Sequence, residues 1–185
     1  MIQSNFTAEL HCQYGRIGVA HTRLEDHPVT SADLDGWLCT EQNKYFKPIR
    51  FVFNFKRQTR NRAYYRITCA NSWQYQGAEL RQNSSGWLGL YGTHVVGRVL
   101  HALNPINLLP STTWKIDTPG PWEGAPQDAE YIEFHLRNSD GYRVALSSLQ
   151  PKRELVLHGG RFLNASTREG DVLVCWLKKI ELLEL

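Results

Sequence analysis

Tyr131-Ile132-Glu133-Phe134-His135-Leu136-Arg137-Asn138-Ser139-Asp140-Gly141-Tyr142-Arg143-Val144-Ala145-Leu146 is the stretch from which the fold is read. Ile132, Phe134 and Leu136 alternate with Glu133 and His135, the two-residue period of a strand with one buried face. Asn138-Ser139-Asp140-Gly141 then predicts a tight turn, because glycine accepts positive φ at no steric cost. Tyr142 to Leu146 resumes strand composition. Glu154-Leu155-Val156-Leu157, a glycine-rich segment and Val172-Leu173-Val174-Cys175-Trp176-Leu177 follow, so Tyr131 to Ile180 reads as four strands joined by turns.

The same unit recurs upstream. Trp176 and Trp114 stand 62 residues apart, and Trp114 and Phe53 stand 61 apart. First strands match as Ala8, Leu10 and Cys12; Tyr65, Ile67 and Cys69; and Ile132, Phe134 and Leu136. Second strands match as Ile17 to Ala20, Gly77 to Leu80 and Tyr142 to Leu146. Third strands match as Gly36-Trp37-Leu38, Gly86-Trp87-Leu88 and Glu154-Leu155-Val156. The spacing predicts one domain over 1–185 with repeats at approximately 6–55, 63–118 and 130–182. The departures are a His-bearing acidic loop at 21–35 and, in repeat two, a short helical or irregular insertion at 92–111. A lone four-stranded meander would leave one face wet and two edges open, whereas three copies closed around an axis pool their apolar faces.

Twelve short strands in three units resemble the β-trefoil, the fold of ricin-type lectins and fascins. The resemblance covers nearly the whole chain and rests on hydrophobic pattern. The Gln-x-Trp signature of ricin-type lectins is absent, the nearest text being Trp73-Gln74-Tyr75-Gln76. It implies an all-β binding module; the alternative all-β architecture is a β-sandwich.

Composition agrees with a folded β domain. Hydrophobic residues make up 42% and charged residues 21% of 185, too apolar for a disordered chain. Six Trp, eight Tyr and seven Phe beside one Met favour strands. A net charge of +3 permits an anionic partner without demanding one. No apolar run of about 18 residues predicts a transmembrane segment. Met1 to Leu10 lacks a basic n-region and an apolar h-region, so the expected location is cytoplasmic, or secreted without a classical signal peptide. Cys12, Cys39, Cys69 and Cys175 fall in strand patterns, as small buried hydrophobes do.

Chemistry is sought first in the turns after each first strand. Sugar recognition needs a flat aromatic for the apolar ring face and carboxylates or amides for the hydroxyls. Asn71, Trp73 and Tyr75 supply these groups in repeat two; Asn138, Asp140 and Tyr142 supply them in repeat three. Ricin-type lectins are similar in placing an acidic residue and an aromatic near the early strands of each copy. The structural alternative is that the polar residues only make turns and the rings only pack. Carbohydrate or glycoprotein is therefore the expected partner. A protein partner or target enzyme engaging 92–111 or 21–35 comes second. Anionic polymers held by Lys56, Arg57, Arg60 and Arg62 come third, with nucleic acid the weakest of these. No cofactor or metal is expected: the seven histidines show neither His-x-x-x-His nor His-Glu-x-x-His spacing, and no nucleophile elbow or phosphate loop occurs. The sequence thus predicts a non-catalytic, lectin-like module.

Overall fold

The computed structural model describes residues 2–21, 36–71, 74–92, 113–120, 126–147, 160–166 and 170–184. These residues form an all-β, antiparallel structure, with one 3-10 helix at Pro126–Tyr131. Its strands are β1 (Phe6–Cys12), β2 (Gly15–Ala20), β3 (Leu38–Thr40), β4 (Phe46–Pro48), β5 (Phe51–Thr59), β6 (Arg62–Cys69) and β7 (Glu79–Gln82). After these come β8 (Leu88–Tyr91), β9 (Trp114–Asp117), β10 (His135–Arg137), β11 (Ala145–Ser147), β12 (Phe162–Asn164), β13 (Asp171–Val172) and β14 (Cys175–Leu182). Among the described residues no helix is long and apolar enough to cross a membrane.

β1 pairs with β14 along one edge and with β5 along the other. The ladder continues from β5 to β6, from β6 to β9 and from β9 to β10. Phe134, at the entrance to β10, then exchanges two backbone hydrogen bonds with Cys175 of β14, of 2.9 and 2.8 Å. A single bridge thus links the start of β10 to β14. Three hairpins stand beside it: β2–β3, β7–β8 and β11–β12. They touch one another through Cys39 and Phe162, Trp37 and Gly89, and Trp87 and Asn164. Gly86 enters β8 at φ 83°, and a Cβ there would stand 2.7 Å from that of Ser166, so only glycine suits the position.

Strand alternation sends Ala8, Leu10 and Cys12, and likewise Tyr65, Ile67 and Cys69, into one core. Phe6 stacks on Phe53 with centroids 4.7 Å apart, and Tyr65 meets both rings edge-on. Trp114 is fully buried and donates its indole N–H to the Leu80 carbonyl at 2.9 Å, which removes the cost of enclosing a polar atom. A second cluster, Ala20, Trp37, Cys39, Trp87 and Phe162, gathers where the hairpins meet.

The third repeat departs from its reading. Trp176 is only half-buried; Cys175 and Leu177 point inward in its place, because one step along a strand reverses the face. Val172 to Leu177 is divided between β13, which pairs with β11, and β14, which pairs with β1. Phe162–Asn164, within the glycine-rich segment, forms a strand, while 154–157 lies outside the described residues. The 3-10 helix takes Tyr131, so pairing starts at Phe134 and not at Ile132. Nearly all of the expected 92–111 insertion and of the 21–35 loop also lies outside the described residues. All four cysteines are buried and outside any disulfide, and burial pushes the Cys12, Cys39 and Cys175 thiols up, which suppresses the thiolate.

Phe53→Ala should cost about 3–5 kcal/mol in urea denaturation, the usual loss for emptying a core ring site. Trp176→Ala should cost less than half of that. Equal losses would show that Trp176 belongs to the core after all.

Candidate functional site

The Asn138 turn is built by one amide. Asn138 accepts at Oδ1 from the Tyr142 N–H at 2.9 Å, while its own N–H donates to the Tyr142 carbonyl at 3.1 Å. Gly141 donates back to the Asn138 carbonyl and sits at φ 93°, a conformation that side chains resist. The Asn138 Nδ2 donates inward to Gln82 Oε1 at 3.0 Å and to the Ala165 carbonyl at 3.1 Å. Asn138 is thus 0% exposed and unavailable to a ligand, contrary to its expected role. Ser139, Asp140 and Tyr142 are left outside on a turn pinned from below, with Tyr142 42% exposed.

The same device occurs at residues 83–87. Asn83-Ser84-Ser85-Gly86-Trp87 uses Asn83 Oδ1 to accept from Trp87 N–H at 3.0 Å, with Gly86 donating to the Asn83 carbonyl. The Asn71 segment differs. Asn71 is exposed and its Oδ1 accepts from the Arg50 backbone; Tyr75 is only 2% exposed, with its hydroxyl 2.8 Å from His21 Nδ1. Trp73 lies outside the described residues. Of the six expected sugar-contact residues, Asp140 and Tyr142 share one exposed turn, Asn71 stands apart, and Tyr75 and Asn138 are interior because their polar groups serve the fold.

Beside the turn is a pocket of about 310 Å³, walled by Asp117, Pro119, Glu133, His135, Arg143 and Val174. Arg143, next in the chain to Tyr142, links the two features. His135 places Nδ1 2.9 Å from the Leu173 carbonyl, which can only accept, so Nδ1 carries the proton and Nε2 is the acceptor of the neutral ring. Asp117 receives Arg137 Nε at 2.7 Å and Arg62 Nε at 3.2 Å. Burial alone would push its carboxyl up, but the hydrogen bonds and charges of both arginines outweigh this and hold it below its ordinary range. The expected basic junction, Lys56 to Arg62, is the projecting end of the β5–β6 hairpin. Lys56, Arg57, Arg60 and Arg62 are all exposed there, with Arg57 lying 4.3 Å over the Tyr64 ring.

This ensemble offers acceptors, donors and one open ring. Among the described residues no group of three or more His, Cys, Asp or Glu side chains is placed to hold a metal ion. The pocket was invisible in the sequence, since its walls come from residues 117–119, 133–135, 143 and 174 and no local pattern joins them.

Asn138→Ala should lower unfolding stability by roughly 1–3 kcal/mol, because the buried Gln82 carbonyl oxygen loses its donor; no loss would mean that the turn is not anchored there. Asp117 contributes stability that is present above the ordinary carboxylate value of 3.8 and disappears as pH falls through its lowered value. Asp117→Asn should therefore be less stable at neutral pH and lose less further stability than wild type between about pH 5 and 2. Parallel melting curves across that range would refute the pairing. No protein-family model, curated protein or solved structure matches this chain, so a functional reading rests on its own residues.

Proposed function

We propose that this protein is a non-catalytic carbohydrate-binding module of β-trefoil type, which contacts its ligand through the 139–143 turn and the adjoining pocket. Support for the trefoil is the pairing circuit β1–β5–β6–β9–β10–β14, whose last link is the bridge between Phe134 and Cys175, together with three hairpins in mutual contact.

The observation that carries the functional reading is the exposed Tyr142 and Asp140 on a turn held rigid by a buried amide. Saccharides present an apolar ring face and a fringe of hydroxyls. A tyrosine ring takes the first, and carboxylates and a histidine acceptor take the second. Asp140 and the pocket's Glu133 and His135 supply those acceptors, and Arg143 supplies donors. A preformed turn also spares the ligand the entropy of ordering it.

A glycan array followed by titration calorimetry tests this. Tyr142→Ala should weaken saccharide binding about tenfold or more, the scale expected for removing a central aromatic contact, with the thermal midpoint unchanged because the ring is exposed. Absence of binding to any saccharide at millimolar concentration would remove the reading.

A further inference from the structure

Strand register brings together five residues that are scattered along the chain. Arg57 opposes Tyr64, Tyr64 opposes Lys115, Lys115 opposes Arg137, and Arg137 is bridged to Arg143. Directly opposed residues of an antiparallel pair project from the same face. Their partners in alternation, Ala63, Tyr65, Trp114, Ile116 and Leu136, fill the core, so the line faces outward. Four cations and one tyrosine thus stand abreast on the outer surface. With strands about 4.8 Å apart, the line is about 19 Å long.

Like charges set directly opposite each other destabilise a sheet, and this line contains two such pairs, Lys115 with Arg137 and Arg137 with Arg143. Asp117 offsets part of the repulsion through Arg137 and Arg62. Arg57, Lys115 and Arg143 meet no carboxylate among the described residues: Arg57 lies on the Tyr64 ring and Lys115 donates to the Ser139 carbonyl. Three uncompensated cations on a rigid sheet are a surface that an extended anion would complete.

We propose that this line is the track for an acidic polysaccharide, a chain bearing sulfate or uronate groups, whose sugar rings are read at the 139–143 turn. The inference rests on the reading of that turn as a saccharide contact and adds the ligand's charge and direction. A saccharide fits better than a nucleic acid strand. Successive bases need open aromatic faces, whereas Tyr64 is 8% exposed beneath Arg57 and Tyr142 is a single ring. Asp140 and Glu133 at the end of the line accept hydroxyl hydrogens, which a saccharide carries on every ring and an oligothymidylate does not carry along its strand.

The test is calorimetry with a heparin octasaccharide, a hyaluronan octasaccharide, neutral chitohexaose and an oligothymidylate, at about 50 and 300 mM salt. The proteins are wild type, Arg57→Gln/Lys115→Gln/Arg143→Gln, and Tyr142→Ala. One of the acidic saccharides should bind at least about tenfold more tightly than chitohexaose and weaken with salt, and the triple variant should lose that advantage and its salt dependence. The heparin and hyaluronan arms tell whether sulfate or carboxylate is preferred. Acidic saccharides binding no better than chitohexaose, or unchanged in the triple variant, would overturn the track; neutral binding lost in Tyr142→Ala would still uphold the sugar-reading turn. Acidic binding that ignores Tyr142→Ala would uphold the track and remove the turn. Tighter capture of oligothymidylate would overturn the saccharide assignment. Arg143→Gln alone, at an exposed position, gives the same readout if the triple variant fails to fold.

Discussion

Every strand offers hydrogen-bonding groups along two edges, and a bare edge invites pairing with another chain. The two bonds between Phe134 and Cys175 answer part of that constraint here, because they join the residue before β10 to the strand that pairs with β1. With them, the inward residues of β1, β5, β6, β9, β10 and β14 face a common interior, and aromatic rings from separate segments can meet: Phe6 with Phe53, and Tyr65 with both. The outward residues become an array whose spacing is set by the strand pairing beneath them.

Polar groups are divided between those two faces by what they bond. Asn138 and Gln82 are buried because each satisfies the other, and an amide so satisfied costs little to enclose. Glu9 is nearly buried too, with Lys179, Arg16 and His11 around its carboxylate at 2.9 to 3.2 Å, which ties β1 to β2 and β14. Asp140, Glu133 and Arg143 have no such side-chain bond among the described residues and are exposed. The candidate site is the place where these unspent groups adjoin an exposed ring.

Much of the strand content was legible because one-sided burial writes itself as alternation. Ala8-Leu10-Cys12 and Tyr65-Ile67-Cys69 read correctly from that period alone. Trp176 misled because size was read as burial; on its strand the smaller Cys175 and Leu177 face inward. Phe162–Asn164 is three residues long and buried throughout, so no alternation of buried and exposed positions revealed a period. The turn at 138–142 was legible from Asp-Gly, but the fate of its asparagine depended on Gln82, 56 residues away. The basic run at Lys56 to Arg62 was visible as composition. The longer line through Lys115, Arg137 and Arg143 was not, because register, and not sequence distance, makes it.

The pairing of β1 with β14 has a topological consequence. Leu183 N–H donates to the Asn5 carbonyl at 2.9 Å, so these two residues lie side by side. A peptide strap of a few residues from Leu183 back to Asn5 would turn the backbone between them into an endless loop. Cutting that loop at Arg60–Asn61, in the exposed reverse of the β5–β6 hairpin, would give a permuted protein whose strands keep all their neighbours. Sequence order and spatial order are, for this architecture, separable.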